Sequence, residues 1–164
     1  MAENHAYFDA PPDAVFDVLA DATSYGHWVV GSSEVRGTDG DWPEPGSKFH
    51  HTQGAFGVGL KDSTEAVVAN RPRQLVMEAR FRPLMIAKVE LRLRPRGRGT
   101  HVTMVEYPIG GPIAKVHNPL IDRAIWARNV ESLRRLRKLA EQRAAESPSE
   151  PGDRARDDHP VPAA

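Results

Sequence analysis

Residues 87–93 read AKVELRL, and this stretch carries the clearest strand pattern in the chain. Val89, Leu91 and Leu93 alternate with three charged residues. Successive side chains of a strand point to opposite faces, so this period of two gives one apolar face and one charged face. The pattern predicts a strand of an antiparallel sheet, with its apolar face on a core and its other face in water.

Six further stretches have strand character, and turn signals such as Asp39-Gly40-Asp41 separate them. They are His5–Asp9, Ser33–Thr38, Ser47–Phe56, Leu60–Ala69, Gln74–Phe81 and His101–Tyr107. No helical segment separates the strands that follow Ser33, which excludes βαβ units and favours an antiparallel meander. The face that Leu60–Ala69 turns inward stays open, because Val67 and Val68 place apolar side chains on both faces.

Helical patterns flank the strands on both sides. Pro12–Ala20 begins with proline, which fits the first turn of a helix, and a very short helical turn follows around Tyr25–Trp28. A long helix is predicted from Pro119 to about Arg143, with Asn118 as its N-terminal cap. Its length of roughly 38 Å is enough to cross a small sheet. A curved sheet covered by one long helix leaves room for a ligand between them.

The inner face of the predicted long helix is not uniformly apolar. Its stripe contains Ile121, Ile125, Leu136, Leu139 and Ala140, with Leu133 at the edge. Asn129 and Ser132 interrupt that stripe near its middle. A polar group that faces inward needs a partner, so we expect a ligand, a water or a strand side chain to satisfy these two residues.

Length and composition predict a single folded domain at 1–144. The following residues, 145–164, are rich in proline and charge and almost free of apolar side chains. Such a segment buries too little apolar surface to offset the entropy of ordering, so it is predicted to be a disordered tail.

Charge and residue usage exclude several classes of function. The 22 basic and 22 acidic residues balance, so no basic excess attracts nucleic acid. The absence of cysteine excludes disulfides and cysteine-ligated metals. No run of 18 apolar residues indicates an integral membrane segment, and the polar N-terminus lacks a signal pattern, so a cytoplasmic location is expected. No cofactor motif or metal-ligand spacing occurs, so no cofactor and no metal is predicted. The oligomeric state stays open.

Four segments of the sequence carry a resemblance to a known superfamily. They are Phe8–Asp21, Gly46–Phe49, Gly99–Thr103 and Arg128–Leu136. Over about Ala6–Ala144 the chain resembles the START/Bet v 1-like (SRPBCC) superfamily, in particular its polyketide cyclase/dehydrase and lipid-transport branch. The resemblance implies an α+β helix-grip fold, in which a seven-stranded antiparallel curved sheet wraps around a long C-terminal helix. Two short helices lie between the first and second strands of that fold.

The same resemblance implies that a hydrophobic small molecule binds between the sheet and the long helix. Strand alternation, the helical wheel and the short turn around Trp28, which would roof one end of the cavity, give the residues expected to line it. They are Trp28, Phe49, His51, Leu75, Met77, Val89, Leu91, Met104, Ile125, Asn129 and Ser132. A register error of one residue would exchange His51 for His50, so the inward position of His51 is itself a prediction.

Two other functions remain open at this stage. One is a polyketide cyclase or dehydratase that uses the same cavity, with His51 or Tyr107 as an acid or base. The alternative roles of these residues are a hydrogen-bonded structural histidine and an aromatic side chain that covers the end of a strand. The other function is a chaperone-like interaction module, which a collapsed cavity beside a large exposed apolar patch would favour.

Overall fold

The computed structural model describes residues 1–55, 58–112, 114 and 118–146. Its strands and helices follow one another as β1 (Ala2–Phe8), α1 (Pro12–Ala20), α2 (Tyr25–Trp28), β2 (Ser32–Asp39), β3 (Lys48–Ala55), β4 (Val58–Asn70), β5 (Gln74–Phe81), β6 (Met85–Arg96), β7 (Gly99–Gly110) and α3 (Pro119–Glu146). A short 3-10 turn, Ala22–Ser24, joins α1 to α2.

Within the described residues the strands form one antiparallel sheet in the order β1-β7-β6-β5-β4-β3-β2. Each strand from β2 to β7 pairs with its neighbour in sequence, and β1 returns to pair with the free edge of β7. The two short helices stand between β1 and β2, and α3 follows the sheet. The predicted helix-grip fold is therefore confirmed.

The β6–β7 hairpin is longer than the sequence pattern predicted. The sequence pattern ends the last strand at Tyr107, but β7 continues through Pro108 to Gly110. The register shifts where Ala87 pairs with Pro108 and Ile86 pairs with Gly110, leaving Ile109 as the extra residue. A proline is tolerated in a strand at such an irregularity, because a regular ladder hydrogen bond is not required of it there.

A bulge in β4 explains why its inward face was ambiguous. The register against β5 shifts between Ala66 and Val68, so Val67 is the extra residue. Ala66 is buried and Val67 is more than one-third exposed. An extra residue exchanges the two faces of a strand from that point onward. Valines can therefore occupy both 67 and 68 although only one face of β4 is buried.

The helix α3 packs on the sheet through its later turns. Its buried side chains are Asn129, Ser132, Leu133, Leu136 and Ala140. The helical wheel placed Leu133 at the edge of the inner face, whereas it is 2% exposed, and Ile121, Ile125 and Leu139 are only half-buried. The turns of α3 before Asn129 contain no buried side chain.

The C-terminal end of α3 lies beyond the predicted boundary of the domain. Ala145 and Glu146 are helical, whereas the disordered tail was predicted to begin at 145. The rest of that predicted tail, 147–164, lies outside the described residues, as does Phe56 at the predicted end of a strand. No helix among the described residues is long and apolar enough to cross a membrane.

Candidate functional site

A cavity of about 40 Å³ lies between the inner face of the sheet, α2 and α3. Its lining is Tyr25, Trp28, Val29, Ser32, Phe49, His51, Thr64, Met77, Ala79, Phe81, Val89, Met104 and Arg128. Most of these side chains are apolar, and polar groups enter from β2, β3, β4 and α3. The volume holds roughly two or three water molecules, since each needs about 10–15 Å³ on this measure.

Six of the residues predicted to line a cavity do so: Trp28, Phe49, His51, Met77, Val89 and Met104. Strand alternation identified the five that come from the sheet. Ala79 and Phe81 share the inward face of β5 with Met77, so the same alternation could have included them. Thr64 could not be assigned in this way, because the bulge after Ala66 leaves the inward face of β4 ambiguous in the sequence, and Arg128 comes from a helix.

Leu75 and Leu91 were predicted to line the cavity but lie in the solid core instead. Both are fully buried, and they pair with each other across β5 and β6. They belong to an apolar cluster with residues of α1 and the later part of α3, including Leu19 and Leu136. The two helices fill the space over this end of the sheet, so an inward position on a strand leads to packing there.

The predicted residues of α3 lie beside the cavity rather than in its lining. Ile125 is half-buried, and Asn129 and Ser132 are fully buried. The Ser132 hydroxyl accepts a hydrogen bond from the Val30 backbone N–H at 3.1 Å. Its partner is therefore the loop after α2, and Arg128 is the residue that α3 presents to the cavity.

Tyr107 does not reach the cavity. It is half-buried and pairs with Lys88 across the β6–β7 ladder. Its neighbour Glu106 is buried, and successive strand residues point to opposite faces, so Tyr107 lies on the outer face of the sheet. The structure thus gives Tyr107 no position from which to act on a molecule in this cavity.

His51 is enclosed at the polar side of the cavity. Its exposed fraction is 2%, whereas the side chain of His50 is 39% exposed and pairs with Asp39 at 2.7 Å. His51 Nε2 lies 3.1 Å from the Thr64 hydroxyl, and its ring lies 5.3 Å from that of Phe49. The inner wall of the cavity therefore carries an imidazole and a hydroxyl in hydrogen-bond contact.

Burial lowers the pKa of His51 from 6.5 to about 4, against the opposing effect of the Asp62 carboxylate. Removing the imidazolium from water is unfavourable, and this is the largest of the effects on the pKa of His51. At neutral pH the ring is therefore uncharged, with one nitrogen that donates and one that accepts. Such a group can orient a ligand carbonyl or hydroxyl, or accept a proton from it.

Stability should fall as the pH drops from about 6.5 to 4. Because the folded-state pKa is below the ordinary value, the unfolded chain binds the proton more readily in this window. The contribution of His51 is complete above pH 6.5, and up to about 3 kcal/mol of it is lost as pH falls through the folded-state pKa. Urea unfolding at pH 7, 5.5 and 4.5 measures this loss. His51→Gln should flatten the pH dependence and His50→Gln should not; equal slopes in all three proteins would contradict the assignment.

Asp62 is a buried carboxylate that sequence patterns did not single out. It pairs with His51 across the β3–β4 ladder, and its side chain is 1% exposed. It accepts hydrogen bonds from the backbone N–H of Arg82 at 2.8 Å and from Arg82 Nε at 3.2 Å. These bonds hold the β5–β6 turn against the first half of β4. The alternation of residues in β4 does not by itself show which face is buried. Asp62 is placed inward only when its pairing with His51 of β3 is known.

A second buried polar group joins α3 to the edge of the sheet. Arg128 Nη2 donates to Glu106 Oε2 at 2.5 Å, and the Glu106 side chain is fully buried. The same guanidinium reaches Asn129 Oδ1 at 3.3 and 3.4 Å through Nη2 and Nε. Asn4 Nδ2 donates to the carbonyl oxygen of Trp126 at 3.1 Å. We call Asn4, Glu106, Arg128 and Asn129 the β1–β7–α3 polar cluster.

Tyr25 contributes its ring rather than its hydroxyl chemistry. The hydroxyl donates to the Leu19 carbonyl at 2.9 Å, and burial raises the pKa of Tyr25 well above its usual value. Its ring packs on Trp28, Trp42 and Phe49 at centroid distances of 4.9, 5.6 and 4.6 Å. These aromatic contacts hold α2 as the cover of the cavity.

Potential metal ligands do not cluster in the part of the chain that the structure describes. No three histidine or acidic side chains there come close enough together to hold an ion.

The model of the polyketide cyclase/dehydrase and lipid transport family matches residues 2–141. The chain belongs to this family. The match covers the whole sheet and most of α3, so it agrees with the resemblance drawn from Phe8–Asp21 and Arg128–Leu136. No curated protein matches the sequence.

Solved structures with the same fold are distant in sequence. Protein CV1439 from Chromobacterium violaceum is 17% identical, with 85% of this chain and 96% of that one covered and a TM-score of 0.65. Bacillus halodurans protein BH1534 is 19% identical, with 85% and 95% covered and a TM-score of 0.63. The di-domain ARO/CYC StfQ from the steffimycin biosynthetic pathway is 15% identical, with 87% and 51% covered and a TM-score of 0.67. At these identities the likeness shows the helix-grip fold of the family.

Proposed function

We propose that this protein binds a hydrophobic or amphipathic small molecule, such as a lipid, a polyketide or a quinone-like aromatic, between its sheet and α3. The observation that carries the proposal is the cavity itself. It joins mostly apolar side chains to a small polar wall made by His51 and Thr64. Apolar linings with a few placed polar groups are typical of small-molecule sites. Membership of the family supports the same function.

A ligand of that size requires the cavity to open beyond 40 Å³. Two features support such opening. Met77 and Met104 line the cavity, and methionine side chains change conformation readily. The turns of α3 before Asn129 contain no buried side chain, so moving them outward exposes little apolar surface. We infer that the ligand enters beneath the N-terminal part of α3, past Arg128.

Burial of apolar ligand surface would supply most of the affinity. Removing about 300 Å² of apolar surface from water contributes roughly 7 kcal/mol before the losses of motion on binding. His51 and Thr64 would then set the orientation of a ligand oxygen. Because the imidazole is uncharged at neutral pH, its hydrogen bonds suit a neutral carbonyl or hydroxyl.

Ala79→Leu should weaken binding by filling part of the cavity. Ala79 lines the cavity, so a larger side chain there occupies the space that the ligand needs. Native mass spectrometry of the purified protein first identifies a co-purifying molecule, and calorimetry then measures its affinity for each variant. We expect the affinity of Ala79→Leu for that molecule to fall at least about tenfold. A loss of this size corresponds to roughly two methylene groups of the ligand that can no longer be buried.

The matched control makes the same substitution at Ala124, an exposed position of α3 outside the cavity lining. Ala124→Leu should bind as the unchanged protein does, and circular dichroism should show that both variants fold. Equal affinity of Ala79→Leu and Ala124→Leu would refute the proposed location of the site.

A cyclase or dehydratase is the second candidate, and His51 is the observation that favours it. An uncharged, buried imidazole in contact with a hydroxyl can accept a proton from an enolisable carbon or a hydroxyl of a bound polyketide-like substrate. Two structural neighbours, StfQ and BexL, are described as ARO/CYC proteins of biosynthetic pathways. Turnover separates the two functions: a binder converts no bound molecule, whereas an enzyme converts a polyketide-like substrate and loses that activity in His51→Gln.

A further inference from the structure

The β1–β7–α3 polar cluster contains buried atoms that no described part of the protein satisfies. Among the described residues, Asn4 Oδ1, Glu106 Oε1 and Asn129 Nδ2 are buried without a hydrogen-bond partner. The fourth such atom is Ser32 Oγ, at the wall of the cavity. Buried polar atoms are normally paired, because an unmade hydrogen bond in the interior destabilises the fold more than a made one stabilises it.

These atoms form a complementary set. Asn4 Oδ1 and Glu106 Oε1 accept, and Asn129 Nδ2 donates. Hydrogen bonds already join the three side chains to neighbouring parts of α3, since Arg128 contacts both Glu106 and Asn129, and Asn4 contacts the backbone one turn earlier. A hydroxyl group donates one hydrogen bond and accepts another, so it would satisfy one acceptor of this set, Glu106 Oε1, together with the donor, Asn129 Nδ2.

The cluster borders the cavity along two strands. Glu106 pairs with Val89, and Asn4 pairs with Met104; both partners line the cavity. Arg128 belongs to the cluster and to the cavity lining. A ligand that displaces the Met104 side chain would therefore approach the unsatisfied atoms from the cavity side.

We propose that the β1–β7–α3 polar cluster is the subsite for a hydroxyl group of the ligand, so that the ligand class is a hydroxylated apolar molecule such as a phenol. This proposal rests on the proposed function. A hydroxyl donates one hydrogen bond, to Glu106 Oε1, and accepts one, from Asn129 Nδ2. An acceptor that is ionised makes the stronger bond.

Charge excludes a carboxylate ligand from this subsite. Arg128 is already paired with Glu106, which neutralises the guanidinium. A ligand carboxylate beside Glu106 Oε1 would place two negative charges in contact without a free cation to offset them. A pure hydrocarbon enters without this repulsion but leaves the same atoms unsatisfied.

Three probes of matched shape test the proposal: 2-naphthol, naphthalene and 2-naphthoate, titrated calorimetrically into the full chain at pH 7. The unchanged protein should bind 2-naphthol at least about tenfold more tightly than naphthalene, the usual effect of a hydrogen bond to an ionised group. Its affinity for 2-naphthoate should be the weakest. Glu106→Gln exchanges the accepting atom for an amide, so the preference for 2-naphthol over naphthalene should fall to within about twofold.

Glu78→Gln is the matched control, because it makes the same change in the same sheet at a glutamate paired with Lys88 outside the cavity lining. It should retain the tenfold preference. Asn129→Leu provides a second variant that keeps the Glu106–Arg128 pair while removing the donor, and it too should lower the preference. Naphthalene binding by either variant shows that its cavity is folded.

The outcomes separate the two proposals. If the unchanged protein binds 2-naphthol and naphthalene equally, the hydroxyl subsite is wrong and the cavity as a binding site stands. If it binds none of the three probes, the proposed function fails and the subsite with it. Retention of the preference by both Glu106→Gln and Asn129→Leu would also overturn the subsite, because the hydroxyl would then be bound elsewhere.

Discussion

Trp28→Ala should lower the free energy of unfolding by about 3–5 kcal/mol, the usual effect of truncating a buried tryptophan. Trp28 is 1% exposed, and its ring lies 4.9 Å from that of Tyr25. Its indole N–H donates to the Ser24 hydroxyl at 3.2 Å, so the change also removes a buried hydrogen bond. Chemical denaturation followed by circular dichroism measures the loss.

The same substitution should enlarge the cavity, because Trp28 forms part of its wall. Indole added to Trp28→Ala should therefore raise its melting temperature, since a ligand that binds only the folded state stabilises it. Trp126→Ala is the matched control: Trp126 is 50% exposed, and its loss should change stability little and give no response to indole. A Trp28→Ala protein as stable as the control would contradict this account of α2 as the cover.

Arg128→Met should destabilise the fold by about 3–5 kcal/mol, because it leaves the fully buried Glu106 carboxylate without its charge partner. Arg128 donates to Glu106 Oε2, and the other oxygen, Oε1, has no hydrogen-bond partner among the described residues that could offset the loss. The methionine retains much of the apolar stem of the arginine. Urea unfolding at pH 7 gives the difference in free energy.

The double variant Glu106→Gln, Arg128→Met should recover most of that loss, because removing both charges also removes the unpaired one. Arg134→Met is the control on the same helix. Arg134 pairs with Glu131 at the surface, where an ion pair stabilises little, and its loss should be far smaller than that of Arg128. A double variant as unstable as Arg128→Met alone would show that the pair matters through packing and not through charge.

Much of the fold followed from local patterns. The alternation in 87–93 and in Gln74–Phe81 identified two central strands, and the proline-led start at Pro12 and the Asn118–Pro119 start identified the helices that flank the sheet. These signals depend on near neighbours in sequence, where the period of two or the cap needs no knowledge of distant contacts. Strand ends were less certain, since β7 passes Pro108 by using a register shift that no local pattern announces.

The candidate site could be predicted only in part. The inward positions of His51 and Met77 could be predicted, because a neighbouring apolar residue identifies the buried face of a strand and every second residue shares that face. Alternation does not say how far along a strand the cavity extends. Leu75 and Leu91 were therefore assigned to the cavity, although α1 and α3 fill the space over that end of the sheet. Thr64 and Arg128 join the lining through pairings across long distances in sequence.

The sequence by itself determined the order of strands and helices, the family, and an inner helix face interrupted by Asn129 and Ser132. Only the tertiary structure decided what those polar residues meet: Ser132 contacts the loop after α2, and Asn129 joins Arg128 and Glu106. The physical reason is that periodicity fixes the direction of a side chain within its own element. The partner in that direction depends on how elements far apart in sequence pack together. That packing satisfies the buried Ser132 hydroxyl and leaves one oxygen of the equally buried Glu106 without a partner.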